Sequence, residues 1–297
     1  MRPWRRTICA LAVPCLAMAG ALGAKGAEPA KERIVWVLVD GPPYHVAASA
    51  GPARRIEDLG TGVNDRLMVE LARELPQFRH EILHISRARL WKDMRAGLPR
   101  CYADAFKTPE RLGFAHFTSV APNLPMVVAT RPGTLRAGAE GVSLQDLLAR
   151  PALRGLFEAG RSYGPVMDAQ IHAAGAARVS LPSNPQALHM LLAGRMDFIV
   201  EYPMALQHYR AQIKPAPALE FHALIEERDP QPNHVACTRS PWGRLVIEAL
   251  DAAIRRFALR PESRNLMDPW LPDEVARSAA PLIERFYRER ALVRDVE

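Results

Sequence analysis

The chain has 297 residues, of which 48% are hydrophobic and 24% charged, a composition that is typical of a folded globular protein and excludes an intrinsically disordered one. This length exceeds what one hydrophobic core usually serves, so two lobes are expected. The formal net charge is +7, from 39 basic and 32 acidic residues. The basic residues form no cluster, so no nucleic-acid partner is expected.

The first 27 residues have the pattern of a secretory signal. Arginines at positions 2, 5 and 6 precede an apolar stretch from Ile8 to about Leu22, and small residues follow as far as Ala27. Removal of this segment takes away four basic residues and no acidic one, which leaves 35 − 32 = +3. We therefore expect a mature protein of the periplasm, with no membrane span in the rest of the chain.

Strands and helices alternate after the signal, which predicts a parallel sheet flanked by helices. The run 33–39 (RIVWVLV) has the continuous apolar character of a strand buried on both faces. It leads into a turn stiffened by one glycine and two prolines, in LVDGPPYHV at 38–46. The next predicted elements are a helix through Leu67 and Leu71 that ends before Pro76, a strand over 78–85, a helix from Ser86 to Gly97 and a strand over 101–106.

Two segments rich in proline and polar residues, 122–132 and 228–234, bracket the middle of the chain. We interpret them as two crossings of the backbone between lobes. The elements predicted from the first crossing onward are a strand over 126–130, a short helix capped by Ser143, helices from Gly164 to Gly175 and from Pro185 to Gly194, strands over 196–201 and 234–238, a helix over 241–257 and a final helix over 273–290. The helix over 241–257 is expected to place Leu245, Ile247, Leu250 and Ile254 on its core side.

The segment HEILH, residues 80–84, matches the H-E-x-x-H zinc motif. Two histidines at this spacing share a metal only on a helix, because in a strand they stand roughly 13 Å apart. Pro76 ends one helix and Ser86 opens another, which leaves room for a strand between them. We therefore interpret the match as false, and we expect no metal and no other cofactor.

Two cysteines, Cys101 and Cys237, remain after the signal. In an oxidising compartment such a pair predicts one structural disulfide, which would stabilise the fold by roughly 4 kcal/mol. Two separate buried thiols are the alternative that the residues leave open.

Six motifs occur in order along the chain: LVDGPPYHV, TPERLGFAHFTSVAP, SLQDLL, RSYGPVMD, LLAGRMDFIVEY and HVACTRSPWGRLVIEALDAAI. Together they resemble the type II periplasmic solute-binding proteins, in particular the family 3 group that includes amino-acid receptors. The resemblance covers nearly all of the mature chain. It implies an α/β fold of two lobes joined by two hinge strands, each lobe a mainly parallel sheet flanked by helices. Lobe 1 would comprise residues 31–125 plus 235–297, and lobe 2 residues 126–234.

The resemblance also implies a ligand site between the lobes. Tyr44 would form an aromatic wall, with ordinary lobe packing as the alternative. Arg111 matches the family's carboxylate-binding arginine, with an exposed arginine in the first turn of a helix as the alternative. The ligand-binding candidates are Asp40, Tyr44, Asp104, Arg111, Ser162, Tyr163, Glu201 and Tyr202. Both cysteines would fall in the first lobe, where their bond would tie the two crossings together.

The chain departs from the family pattern at two places. Ala103, Asp104 and Phe106 replace the small hydroxyl residues that precede the arginine. The acid expected five residues beyond Asp197 is Tyr202, and Glu201 stands one place early. Because side chains alternate along a strand, this shift of one place is expected to turn the acid away. Classical amino-acid recognition is therefore not implied.

We expect a monomeric solute-binding protein that closes on a small polar ligand, such as an amino acid, a short peptide or an organic acid, for an inner-membrane transporter or sensor. The alternative is an enzyme of the cyclohexadienyl dehydratase type on the same fold. In that case Glu201, Asp104 and His45 would act as general acids or bases. A third hypothesis is an accessory or sensor lobe that docks on a membrane protein.

Overall fold

The structure of the protein, a computed structural model, contains the predicted strands and helices within a few residues of the expected bounds. It describes residues 32–39, 41–46, 48, 51–136, 138, 140–176, 178–179, 185–228, 232–271 and 273–297. The predicted signal (1–27) and the candidate Asp40 lie outside the described residues. The described strands are β1 (Arg33–Leu38), β2 (Arg79–His84), β3 (Cys101–Ala105), β4 (Ala115–Ala121), β5 (Val127–Thr130), β6 (Gly155–Glu158), β7 (Arg178–Val179), β8 (Phe198–Glu201), β9 (Glu220–Ala223) and β10 (Asn233–Thr238). The described helices are α1 (Val63–Glu74), α2 (Arg87–Arg95), α3 (Pro109–Leu112), α4 (Leu144–Leu148), α5 (Pro165–Ala173), α6 (Pro185–Leu192), α7 (Pro203–Ala211), α8 (Pro241–Phe257) and α9 (Asp273–Arg290).

The strands form two five-stranded sheets with the same plan. The first has the order β2-β1-β3-β10-β4 and the second the order β7-β6-β8-β5-β9. In each sheet three neighbouring strands are parallel, and the strand that follows a crossing, β5 or β10, pairs antiparallel on both sides. The backbone thus passes from the first sheet to the second after β4 and returns before β10.

Both faces of the first sheet are covered, which explains the unbroken apolar run in β1. Ile34 and Trp36 pack with α1, α8 and α9 on one face, and Val37 packs with α2 on the other. The helix α8 occupies the predicted residues and buries Leu250 and Ile254. The prediction for Leu245 was wrong, because this side chain is 49% exposed at the solvent edge of the helix.

The HEILH segment forms the strand β2, as expected. The ring nitrogens of its two histidines bond to separate partners: His80 lies 3.1 Å from Trp36 Nε1, and His84 lies 3.0 Å from the Ala53 carbonyl oxygen. Within the described residues, no cluster of three potential ligands could hold a metal ion. None of the described helices has both the length and the apolar character that crossing a bilayer requires.

A buried carboxylate links the two crossings. Glu227, at the end of the short 3-10 helix Ile225–Glu227, accepts a 3.0 Å hydrogen bond from the backbone N–H of Met126, just before β5. Burial raises the pKa of Glu227 to about 7, although the Met126 bond acts in the opposite direction. Below about pH 7 the folded protein therefore favours the protonated form of this side chain.

Cys101 and Cys237 form the disulfide, and they are paired residues of the antiparallel ladder between β3 and β10. Both are fully buried among the apolar residues of the first sheet. The expectation that the bond ties the two crossings together was wrong, because Cys101 begins β3 and Cys237 lies four residues beyond the start of β10. The bond instead fixes the returning strand to the core of the first sheet.

Replacement of both cysteines (Cys101→Ala with Cys237→Ala) is expected to lower the free energy of unfolding by about 4 kcal/mol, because the bond closes a long loop with a sequence separation of 136. Urea unfolding followed by circular dichroism measures the change. As a control, the denatured and unreduced mature protein should contain no titratable thiol. Two free thiols in that assay would contradict the prediction.

The raised pKa of Glu227 predicts a stability that falls as the pH rises. Below the unfolded pKa of about 4.5 the carboxyl is protonated in both states. Between that pH and about 7 the unfolded chain loses the proton and the folded protein keeps it, so the stabilisation is lost through this window.

The variant Glu227→Gln keeps an acceptor for Met126 and does not titrate. When the pH rises from 5 to 8, the unfolding free energy of the wild type should fall by about 2 kcal/mol because of Glu227, and that of the variant should not show this fall. Urea titrations of both proteins at the two pH values measure this difference in unfolding free energy. Parallel pH dependence in both proteins would rule out the assignment.

Candidate functional site

The stiff turn after β1 docks on the amino terminus of α1. Gly41 accepts hydrogen bonds from the backbone N–H groups of Tyr44 and His45, each at 3.1 Å. The Tyr44 carbonyl in turn accepts from the backbone of Asn64 at 3.0 Å. A Cβ at Gly62 would lie 2.2 Å from this carbonyl oxygen, so only glycine permits the approach. The turn is therefore held rigidly, and it fixes the position of Tyr44.

His45 holds the same turn from the other side. Its Nδ1 lies 2.8 Å from Asp65 Oδ1, and both side chains are buried. The other carboxylate oxygen of Asp65 accepts from the backbone N–H of Val46 at 2.6 Å. His45 does not line the cavity that contains Asp104 and Glu201. Of the three acid–base residues considered for a dehydratase, Asp104 and Glu201 thus share this cavity, and His45 supports the turn.

A small polar cavity, which we call the cleft cavity, lies between the two sheets. Its free volume is about 30 Å³, enough for two or three water molecules at about 10–15 Å³ of such volume each. It brings together six of the residues predicted from the sequence: Tyr44, Asp104, Arg111, Ser162, Glu201 and Tyr202. The first three come from the first sheet and its loops, and the others come from the second.

Tyr44 is 8% exposed, and its hydroxyl has no hydrogen-bond partner among the described residues. Burial and the nearby Glu201 carboxylate raise the pKa of Tyr44 well above its usual value. Its ring meets the ring of Tyr202 edge-on, with 6.2 Å between the centroids. An aromatic pair thus spans the two sheets beside an unsatisfied hydroxyl.

Arg111 lies in the cleft but binds the protein's own backbone. Its helix, α3, begins at the Thr108 cap, and its guanidinium lies 4.1 Å above the Trp91 ring. Nη1 donates to the Phe106 carbonyl at 2.8 Å and Nη2 to the Gly160 carbonyl at 3.0 Å. Burial lowers the pKa of Arg111 to about 10, so the group remains charged at neutral pH. The predicted carboxylate-binding arginine therefore bridges the two sheets.

Further contacts join the sheets around Gly160. Its carbonyl also accepts from Trp91 Nε1 at 2.9 Å. Arg87, at the start of α2, forms a buried 2.7 Å ion pair with Glu158 at the end of β6. Gly160 has a φ of +79°, and a Cβ there would lie 3.3 Å from the backbone nitrogen of Ala88. Glycine at this position thus allows close contact between the sheets.

Glu201 faces the cleft cavity, contrary to the expectation that its early position would turn it away. Its two oxygens accept from Arg161 at 2.6 and 2.7 Å, a bidentate pair. Burial opposes the charge of Arg161, but Glu201 outweighs it and holds the pKa of Arg161 well above its usual value. The sequence analysis missed Arg161, although it directly precedes the candidate Ser162.

The amino terminus of α5 is occupied by the helix's own carboxylate. Asp168 accepts from the Ser162 hydroxyl and, at 3.1 Å, from the backbone N–H of Tyr163. Donors that could hold a ligand anion therefore already bind an internal one. Tyr163 does not line the cleft cavity. Its ring packs in the core of the second sheet against Phe157, and its hydroxyl accepts from the Glu158 backbone at 2.9 Å, so its assignment to the ligand site stays a prediction.

Asp104 lies at the end of β3, where it accepts from Asn233 Nδ2 at 2.9 Å and from the Tyr102 hydroxyl at 3.4 Å. Asn233 opens the returning strand β10, so these bonds connect the end of β3 to the second crossing. The sequence analysis missed Asn233, Arg87 and Trp91 as cleft residues. All three are distant along the chain from the residues they contact in the cleft, and no local pattern indicated them. The one available signal was that Asn233 lies within the predicted crossing 228–234.

The comparisons with known proteins concern the fold. No protein-family model matches the sequence, and no curated protein matches it. Solved structures do match at 15–17% identity. A putative L-cystine ABC transporter protein from Listeria monocytogenes has a TM-score of 0.61, with 82% of this chain and 97% of that one covered. An ancestral arginine-binding protein bound to arginine has a TM-score of 0.60, with 82% and 99% covered.

A histidine kinase sensor domain with similarity to periplasmic binding proteins has a TM-score of 0.63 at 15% identity, with 82% of this chain and 96% of that one covered. These similarities extend over nearly the whole length of each matched protein. They agree with the two sheets and the two crossings seen here. The chain therefore has the two-lobed α/β fold of the type II periplasmic solute-binding proteins.

Proposed function

We propose that this protein captures a small polar solute between two lobes, residues 31–125 plus 235–297 and residues 126–234, for transport or for sensing. One observation carries the proposal. Side chains from both sheets converge on the cleft cavity, and the buried Tyr44 hydroxyl among them has no partner in the described part of the chain. A buried hydroxyl left unbonded costs about 1–3 kcal/mol. A solute that bonds it would remove this cost.

The solved structures support the proposal without identifying the solute. The matched proteins include the substrate-binding protein of an amino-acid ABC transporter, an arginine-binding protein and a histidine kinase sensor domain. By extension, an inner-membrane transporter or a sensor protein is the partner that we infer for this chain. Arg111, Glu201 and Ser162 bind partners within the protein. Their side chains are therefore not arranged to bind the carboxylate and ammonium groups of an amino acid directly. The predicted signal is consistent with action in the periplasm.

The lobes have to part before an amino acid can enter the cleft cavity. A free volume of about 30 Å³ is too small for an amino acid. Opening separates Arg111 and Trp91 from the Gly160 carbonyl and Arg87 from Glu158. A solute changes the balance between open and closed forms only by binding one of them more tightly. Contacts to both lobes meet this condition, because only a closed form can make them.

The first test is a thermal-shift screen of the mature protein against amino acids, short peptides, organic acids and amines. A compound present at 100 times its Kd adds about 2.7 kcal/mol of stability, which produces a clear rise in Tm. The compound that gives the largest rise then serves as the probe for calorimetry. A flat result across all four classes would contradict the proposal.

The variant Tyr44→Phe should weaken binding of that probe roughly 5- to 30-fold, which corresponds to a hydrogen bond of about 1–2 kcal/mol. Its stability without the probe should be unchanged or higher, because the lost hydroxyl has no partner among the described residues. Calorimetric titration and thermal unfolding measure the two effects separately.

Tyr287→Phe is the matched control. The Tyr287 hydroxyl is also buried without a described partner, but it lies in the core of the first sheet. This variant should keep the wild-type affinity for the probe. Equal affinities in both variants and the wild type would argue against a role for Tyr44 in binding.

A further inference from the structure

A second cavity, which we call the hinge cavity, adjoins the cleft cavity and has a free volume of about 390 Å³. Tyr44, Asp104, Tyr202 and Asn233 line both cavities. An engineered apolar cavity of about 150 Å³ already binds benzene, so the hinge cavity can hold a molecule of about ten non-hydrogen atoms. Most of its wall is apolar, with contributions from Leu67, Leu124, Met204, Leu266, Met267 and Leu271.

Two buried polar groups in this wall lack partners among the described residues. One is the Tyr44 hydroxyl, at the boundary with the cleft cavity. The other is the side-chain amide nitrogen of Asn64, a residue that is 3% exposed. The Asn64 backbone already donates to Tyr44, so only its side chain is unsatisfied. An apolar molecule with suitably placed polar atoms would satisfy both groups.

The charge of the hinge cavity determines which polar group suits it. Asp104 is the one charged side chain among the described residues that line it. Its carboxylate accepts hydrogen bonds from Asn233 and Tyr102, both uncharged donors. The rings of Tyr44 and Tyr202 also border the cavity, and aromatic faces attract cations. The lining therefore favours a cation over an anion.

The cationic and donor groups that could hold a ligand carboxylate bind partners within the chain. Arg111 donates to two backbone carbonyls, and Arg161 is paired with Glu201. The donors before α5 bind Asp168. An anionic solute would therefore have to displace one of these partners.

We propose that the hinge cavity binds a small apolar amine, with its ammonium group at Asp104 and its aromatic or branched aliphatic body among the leucine and methionine side chains. This inference rests on the proposed function and narrows its solute to an amphipathic amine. The unsatisfied Asn64 amide favours an amine that also carries one acceptor oxygen.

Three probes with the same phenol ring test the charge: tyramine is a cation, 4-ethylphenol is neutral and 4-hydroxyphenylacetate is an anion. Calorimetric titration of the wild-type protein should give a Kd for tyramine at least tenfold below the other two. Tyramine and phenethylamine, which lacks the phenol oxygen, test the acceptor. The variant Asn64→Leu should reduce the preference for tyramine over phenethylamine, and its Tm without probe should be unchanged or higher.

The variant Asp104→Asn should weaken tyramine binding at least tenfold and change 4-ethylphenol binding less than threefold. Asp146→Asn, which removes an exposed carboxylate at the start of α4, is the matched control and should bind tyramine like the wild type. The comparison of the three probes on the wild-type protein decides the matter even if Asp104→Asn fails to fold.

Binding of 4-hydroxyphenylacetate as tightly as tyramine would overturn the inference, and so would unchanged tyramine affinity in a folded Asp104→Asn variant. If amino acids or organic acids raise the Tm and the amines do not, the amine inference is wrong and the proposed solute capture stands. If no compound of any class binds, both fail.

Discussion

The carbonyl oxygen of Gly160 is the contact on which the rest of the cleft depends. It belongs to the loop after β6 in the second sheet, and it accepts hydrogen bonds from Arg111 and Trp91 of the first. A carbonyl has two lone pairs, so both bonds can form at once. The positive φ and the close approach to Ala88 require glycine here. This one acceptor turns Arg111 toward the backbone and brings the two sheets together.

Charge compensation within the chain follows the same plan throughout the cleft. Arg161 is paired with Glu201, Arg87 with Glu158, and the amino terminus of α5 with Asp168. Buried charges require such partners, because the loss of hydration is otherwise too unfavourable. The result is a small polar cavity in which Arg87, Arg161 and Glu201 already have charged partners within the protein. Beside it lies a larger apolar cavity in which Asp104 is the charged member of the described lining.

The elements were predictable where local chemistry specified them. Ser86, Ser143 and Ser240 cap helices, and Pro76 and Gly194 stand at or just beyond helix ends. The strands β4, β6, β7 and β9 and the helix α7 were not predicted. The longest of these strands, β4 (Ala115–Ala121), was missed because its sequence AHFTSVA mixes polar and small residues without a strand period. All seven of its residues are buried, since α8, α9 and β10 cover it. When distant elements bury a short segment, its own sequence need not show the hydrophobic pattern that predicts a buried strand.

The candidate site was predictable as a set of positions, but not as a set of bonds. Loops that follow parallel strands meet at one edge, so the backbone positions of Tyr44, Asp104 and Glu201 could be expected to lie near each other. The partner of each side chain could not be expected, because Arg111 and Gly160 are 49 positions apart and Asp104 and Asn233 are 129 apart. The direction of a side chain also depends on tertiary packing. Glu201, which faces the cleft cavity, and Tyr163, which lies in the core of the second sheet, illustrate this.

The amino-acid sequence by itself determined most of the strands and helices, the two crossings and several of the residues near the cleft. Those features arise from hydrophobic period, capping and turn chemistry, which act over a few neighbouring residues. Only the tertiary structure decided that the cleft's charges are paired within the protein and that an apolar cavity of about 390 Å³ lies next to them. Such pairings and volumes depend on how two distant halves of the chain fit together, and no local pattern records that fit.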